Sequence, residues 1–354
     1  MIFNFYRLKS FRIFLFPFSL IYGLIIIVRN FLFDKDIIKS VSFNLPIIAV
    51  GNLSVGGTGK SPMVEYLITL LKDKYKVATL SRGYKRKLKG YVLAQAHTTA
   101  IEIGDEPMQF HSKFPDVAVA VGEERIVAIP QLLQDCPETN VIILDDAFQH
   151  RIIKPGLNIL LTEYDNLFTQ DYFLPAGNLR DQKSSYKKAD VIVVTKCPFN
   201  LPEEEKDTIK KEINPLPHQK VFFTAIEYGH LYHMLDKSQK PFTLKDEILL
   251  VCGIANPTPL RKHLSQNARS YNQLSFSDHH IFTLADIKKI KNKFQGINAD
   301  KKMIITTEKD AVRLMTFNEE LVSMPVFVLP VRHRFLFGEG IQFDNIVDTF
   351  VEMF

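Results

Sequence analysis

Two hydrophobic periods alternate along most of this chain. Short runs of consecutive apolar, often β-branched residues are separated by stretches in which apolar positions recur every three or four residues. The first kind includes "PIIAVGN" (46–52), "KVATLSRGY" (76–84), "DVAVAVG" (116–122), "NVIILDD" (140–146), "LNILLTEYD" (157–165) and "DVIVVTKCP" (190–198). Such near-continuous runs are the pattern of parallel strands covered on both faces. Between them, Pro62 to Lys74 places Val64, Leu67, Ile68 and Leu71 on one helical face. "EPMQFHSKF" (106–114) and "EERIVAIPQLLQDC" (123–136) are also expected helices, the latter with a kink at Pro130. The alternation predicts a parallel α/β domain over 39–225. After a charged helix, "PEEEKDTIKKEI" (202–213), and a strand, "KVFFTAIEY" (220–228), a polar connector follows, and the linker is set at 226–243. A smaller α/β domain is expected over 244–354, built from "EILLVCGIANPTPLRKHL", "DHHIFTLADIKKIKNKF", "KMIITTEKDAVRL" and "MPVFVLPV". The cleft between the two is the expected place for chemistry.

The N-terminus breaks this pattern. Between Arg12 and Arg29 lie 16 uncharged residues, Ile13 to Val28, in "RIFLFPFSLIYGLIIIVR". As a helix they reach about 24 Å, short of a hydrocarbon core of roughly 30 Å. Arg7, Lys9 and Arg12 precede the run, and Arg29, Lys35 and Lys39 follow it. The expectation for 1–38 is a helix that dips into one leaflet, with its basic flanks at lipid phosphates. A full span and a buried core helix are the alternatives.

Composition changes this picture little. The chain has 354 residues, 46% hydrophobic and 23% charged, values of an ordinary globular protein with room for two cores. A net charge of +5 is too small to imply nucleic acid as a partner. Cys136, Cys197 and Cys252 are far apart and odd in number, which suits reduced thiols and no structural zinc.

The chemistry concentrates at strand ends. "SVGGTGKS" follows the first strand and opens a helix, the context required of a phosphate-binding P-loop. Ser54, Val55, Gly56, Gly57, Thr58, Gly59, Lys60 and Ser61 form the loop, with Ser54 where the motif has its first glycine. Backbone N–H groups from Gly56 to Lys60 would face phosphates at a helix N-terminus. Lys60 would reach the β- and γ-phosphates, and the Ser61 hydroxyl would ligate magnesium. "VIILDDAFQH" ends its strand in Asp145 and Asp146, one of which is the expected second holder of Mg2+. Gln149 and His150 continue that loop. The basic run "SRGYKRK", with Arg82, Lys85, Arg86 and Lys87, fits either an anion clamp or a solvated loop. In "IGDEPMQF", Asp105 is either a helix cap before Pro107 or a carboxylate that takes a hydroxyl proton. "FSDHHIF" offers His279 or His280 as its partner across the cleft.

With these residues assembled, the chain resembles the tetraacyldisaccharide 4′-kinase (lipid A 4′-kinase) family over nearly its whole length. "VGNLSVGGTGKSP", "SRGY", "GDEP", "VGEER", "DDAFQHR", "LPAGNLRD", "FSDHH" and "TTEKDAVRL" carry the resemblance, in that order. It implies a P-loop NTPase domain, a smaller second α/β domain and an N-terminal membrane-associated helix. It implies transfer of the γ-phosphate of ATP to the 4′-hydroxyl of an acylated glucosamine disaccharide 1-phosphate lipid. Asp105 would be the base, paired with His279 next to Asp278. Asp146 would be the strand-end metal ligand, and Glu106 would support the metal region. Arg125 and Arg180 would neutralise the transferring or substrate phosphate. The enzyme would work at the cytoplasmic face of the inner membrane, without an obligatory protein partner. A regulatory GTPase would instead need N-K-x-D, which neither "VTKCP" nor "TTEKD" supplies. An ATPase subunit of a transport or partitioning machine would hydrolyse ATP without a lipid product.

Overall fold

The computed structural model describes residue 12, residues 14–241, residue 243 and residues 246–354. Arg7, Lys9 and Ile13 lie outside the described residues, as does the expected domain junction at 244.

The strands are β1 (Ile47–Asn52), β2 (Val77–Ser81), β3 (Val92–Leu93), β4 (Ala118–Val121), β5 (Val141–Asp145), β6 (Leu157–Glu163), β7 (Val191–Thr195) and β8 (Lys220–Tyr228). They continue with β9 (Leu231–His233), β10 (Gln239–Lys240), β11 (Glu247–Cys252), β12 (Ser270–Ser275), β13 (Lys302–Thr307), β14 (Val326–Leu329) and β15 (Val331–Phe335). The larger sheet runs β15-β8-β7-β6-β1-β5-β2-β4-β3. Seven of these strands are parallel, and the two edges, β3 and β15, are antiparallel to their neighbours. Both faces are covered, as the uninterrupted apolar runs require. Met63, Val64, Leu67, Ile68 and Leu71 of the helix Lys60–Leu71 pack on one face, and Ala128, Ile129 and Leu132 of the helix Arg125–Asp135 on the other. β1 lies between β5 and β6, so the loop after β1 and the carboxylates ending β5 emerge side by side.

The smaller sheet runs β10-β9-β14-β13-β11-β12. Its limits differ from the expected 244–354. It begins inside the expected linker with the β9–β10 pair, and it ends at Leu329. The apolar stretch "MPVFVLPV" is not one strand. Pro330, which has no N–H to give a ladder, separates β14 in the smaller sheet from β15 in the larger one. The last helix, Gly340–Glu352, then buries Phe343, Val347 and Val351 in the larger core. Helical periodicity shows that those residues are covered, and does not show by which sheet.

The N-terminal helix spans Phe16–Asp34 and has the reverse of a soluble helix's polarity. Its inward face is small or polar: Ser19, Gly23 and Asn30 are buried with Phe33. Ser19 Oγ donates to the Phe173 carbonyl (2.9 Å), Tyr22 Oη to the Arg180 carbonyl (3.0 Å) and Asn30 Nδ2 to Asp181 Oδ1 (2.6 Å). A Cβ on Gly23 would come within 2.7 Å of the Phe173 ring, so only glycine allows this approach. Phe18, Leu20, Ile21, Leu24, Ile25 and Val28 face outward and are exposed. The helix reaches about 28 Å and is docked along most of that length.

Candidate active site

The glycine-rich loop after β1 is held by its neighbours. Gly59, at φ 88°, is the left-handed N-cap of the helix Lys60–Leu71. Its carbonyl accepts from His333 Nε2 (2.9 Å), and the Thr58 carbonyl accepts from Thr195 Oγ1 (2.9 Å). At the end of β1, Asn52 is fully buried and donates to Thr58 Oγ1 (2.9 Å). Its Oδ1 accepts from Lys60 Nζ (3.4 Å) and from Arg180. Val55, Gly56 and Gly57 are exposed at the mouth of the loop, and Ser61 is half-buried one residue beyond Lys60.

Opposite stand the carboxylates of β5. Asp146, in the left-handed region at φ 49°, takes both Arg180 Nη atoms (3.0 and 2.7 Å) and lies 3.5 Å from Lys60 Nζ. Burial alone would raise this carboxyl, but Arg180 and Lys60 outweigh it and hold Asp146 well below the usual range. Asp145 has the opposite surroundings. Burial, with Asp146 next, pushes it up to about 7. Its Oδ1 is buried and has no hydrogen-bond partner among the described residues. An unmatched carboxylate oxygen beside a second carboxylate suits a hard divalent cation whose other positions go to water and phosphate. Among the described residues no group of three or more His, Cys, Asp or Glu forms a metal cage. Magnesium held by one or two carboxylates and substrate phosphates needs none.

Cations line the same loop. Burial first, then Arg125 and Arg82, depresses His150 to about 4, so its ring is neutral near pH 7. Arg82 is exposed, whereas Arg86 turns inward and pairs with Glu123 (2.7 Å). Arg125 is buried; it donates to the carbonyls of Gly122 (2.9 Å) and Asp145 (3.3 Å), and burial pulls it down to about 10. In this arrangement Arg125 fixes the end of β5 from behind. Gln149 donates to the Asn52 carbonyl, and its own carbonyl accepts from Arg29 of the N-terminal helix (2.9 Å).

The second half of the site joins the two domains. Asp105 is the first residue of the helix Asp105–Lys113, with Gly104 as the cap. Its side chain leaves the helix: Oδ2 is 2.7 Å from His279 Nδ1, and Arg313 donates to both oxygens (2.9 and 2.7 Å). Burial would raise this carboxyl as well, yet Arg313 and then His279 hold it below its ordinary value. His279 sits at φ 61°, an unusual conformation for histidine that turns its ring toward the larger domain. His280 faces away and bonds Asp286 (3.0 Å) at the start of the helix Leu284–Gln295. Beside the pair, Lys309 Nζ is 2.9 Å from Glu106 Oε1 and 3.1 Å from His279 Nε2.

The glycine-rich loop and the Asp145–Asp146 strand end thus stand together, and Glu106, which acts electrostatically on Asp145, neighbours the cross-domain Asp105–His279 pair. The family model described as tetraacyldisaccharide-1-P 4′-kinase, LpxK, matches residues 11–352. The chain belongs to the tetraacyldisaccharide 4′-kinase family. It is 50% identical over 323 residues to the "Tetraacyldisaccharide 4′-kinase" of Flavobacterium johnsoniae, covering 91% of this chain and 92% of that one. It is 44% identical over 352 residues to the protein of the same name from Bacteroides thetaiotaomicron, covering 95% and 92%. Among solved structures it is similar to LpxK from Aquifex aeolicus in complex with ATP, with a TM-score of 0.75, 30% identity, and coverage of 96% of this chain and 99% of that one.

Within this family member, the residues that the sequence points to fall into two linked groups. Lys60, Asp146, Arg180 and Gln149 meet around Asn52, and Asp105, Glu106 and His279 meet around Lys309 and Arg313. Asn52, Thr195, His333, Lys309 and Arg313 carry the site's geometry without having been assigned a role from sequence. For Lys309 and Arg313 the signal was present: "TTEKDAVRL" sets a cation at each end of one helical turn directly after a strand.

Proposed function

We propose that this protein transfers the γ-phosphoryl group of ATP to the 4′-hydroxyl of a tetraacyldisaccharide 1-phosphate in lipid A biosynthesis. The observation that carries the reading is the Asp105–His279 pair, closed at 2.7 Å between the two domains, with the neighbouring Glu106 acting electrostatically on Asp145. Phosphoryl transfer asks the protein mainly for positioning and charge neutralisation. Lys60 and the backbone of Gly56 to Lys60 hold the β- and γ-phosphates. Arg180 and Arg82 neutralise phosphate charge, and neutral His150 contributes a hydrogen bond among them. Both Asp105 oxygens are taken by Arg313 and His279. Asp105 therefore orients the imidazole, and His279 Nε2 receives the hydroxyl proton late in a loose transition state. Ser61 with Asp145 or Asp146 would hold magnesium, supported by Glu106, and the ion would neutralise charge on the β- and γ-phosphate oxygens.

The outward apolar face of the N-terminal helix provides the route to a lipid acceptor. A helix docked on the catalytic domain along most of its length lies in the interface, with its apolar face in the inner leaflet. The active site then opens at the cytoplasmic membrane surface. The test is product analysis after incubation with ATP, magnesium and the disaccharide 1-phosphate in mixed micelles. A lipid heavier by one phosphate, with the new ester on the 4′-oxygen, supports the reading; ADP without a phosphorylated lipid refutes it.

A further inference from the structure

We propose that Lys309 caps the proton acceptor, so that ATP is not spent on water before the lipid hydroxyl arrives. The proposal rests on the reading of His279 as the proton-accepting group. An ammonium only donates hydrogen bonds and a carboxylate only accepts them. His279 stands between the two, with Nδ1 2.7 Å from Asp105 and Nε2 3.1 Å from Lys309. One neutral tautomer satisfies both: hydrogen on Nδ1, lone pair on Nε2. That lone pair is the one able to take a proton, and Lys309 already occupies it.

Geometry makes the occupation exclusive. A hydroxyl that gives its proton to Nε2 must lie about 2.6–3.2 Å from it, which is where Nζ now lies. Lys309 must swing away first. Its second partner, Glu106 Oε1 at 2.9 Å, belongs to the larger domain and keeps the displaced ammonium in the cleft. Asp105 is held independently by both Arg313 nitrogens, so the swing leaves the Asp105–His279 bond in place. The neighbours of Lys309 on its helix are engaged elsewhere. Glu308 pairs with Lys113 across the domain contact, and Asp310 accepts from the Gly253 N–H (3.0 Å).

The cap discriminates between two nucleophiles that an exposed base would treat alike. With water, an O–H bond breaks and its proton goes to Nε2. The oxygen bonds to the γ-phosphorus, and the β,γ-bridging P–O bond breaks with its electron pair to ADP. The sugar hydroxyl reacts by the same steps. Only the lipid brings binding energy from acyl chains and a disaccharide to displace an ion-paired lysine.

The experiment measures ATP hydrolysis without acceptor at saturating ATP and magnesium. Lys309→Met is expected to raise it at least tenfold, and Lys309→Arg, which retains a donor, to raise it less. Lys309→Met/His279→Asn is expected to return it to the wild-type level. Lys309→Gln replaces the methionine variant if that variant melts early. Hydrolysis in a folded Lys309→Met protein equal to or below wild type would overturn the cap. Undiminished lipid phosphorylation by His279→Asn would instead remove the base assignment, and the cap with it.

Discussion

Asp105→Asn changes one atom at the point where the domains meet. In the native site the carboxylate accepts three hydrogen bonds, from His279 at 2.7 Å and from Arg313 at 2.9 and 2.7 Å. Asparagine offers one oxygen and one donor in their place. If the oxygen stays on Arg313, the amide N–H faces His279 Nδ1, which must then accept. The imidazole hydrogen moves to Nε2, and the lone pair needed for the hydroxyl proton is lost. Loss of general-base assistance costs about 10²–10⁴ in turnover, and a reversed tautomer places the effect in that range. Stability falls too, because Arg313 is nearly buried and, among the described residues, keeps only Asp310 as a charged partner (3.3 Å). Breaking a buried pair typically costs about 3–5 kcal/mol. The ATP loop is untouched, so KM for ATP should hold while kcat falls. The assay is steady-state lipid phosphorylation with thermal unfolding in parallel. Turnover within threefold of wild type, with the melting temperature lowered, would refute the role in proton transfer and leave Asp105 as an interdomain tie. Asp105 is held below its ordinary value, so the charge it brings to the domain contact is complete above pH about 4 and lost only as pH falls further. The acid limb of activity near neutrality should therefore not belong to it.

Other consequences can be measured separately. Asn52→Ala removes the bonds to Thr58, Lys60 and Arg180 from a fully buried position. It should cost about 3 kcal/mol in denaturant unfolding and raise KM for ATP; an unchanged KM would remove Asn52 from loop positioning. His333 is fully buried, and burial depresses it to about 4. The unfolded chain, titrating near 6.5, binds the proton more readily, so stability is complete above pH about 6.5 and falls by about 3 kcal/mol as pH drops toward 4. His333→Gln should flatten that slope in unfolding curves measured between those pH values, although His150 adds a slope of the same sign. Leu24→Glu with Ile25→Glu, at positions 62% and 60% exposed, should lower binding to anionic vesicles at least tenfold while leaving ATP binding intact. Retained vesicle binding would exclude this face as the membrane contact.

What the sequence made legible was what lies close together along the chain. The P-loop and the Asp145–Asp146 strand end are each contiguous, and adjacent strands of a parallel sheet set them opposite one another. The choice between His279 and His280 was not legible, because a backbone turned to φ 61° decides which ring crosses the cleft. Nor was the inward turn of Arg125, for which the family resemblance implied a phosphate and whose buried donors meet carbonyls. The partnership of Asp105 with Arg313 joins residues separated by 208 positions, and no local period reports it. The same holds for β15. β15 follows β14 with a single residue between them, and the break at Pro330 sends it back to β8 in the larger sheet. The N-terminal run was legible as apolar, while the small and polar residues that dock it were visible only as interruptions.

Phosphoryl transfer to the lipid is measured with γ-labelled ATP, magnesium and the tetraacyl disaccharide 1-phosphate, following label into the lipid with wild-type protein and with Lys60→Ala. Labelled lipid is expected from wild type, with a loss of at least about 10²-fold in the variant, since Lys60 is placed on Asn52 and Asp146 at the glycine-rich loop. ATP consumed with no label in the lipid, or label retained by Lys60→Ala, would contradict it.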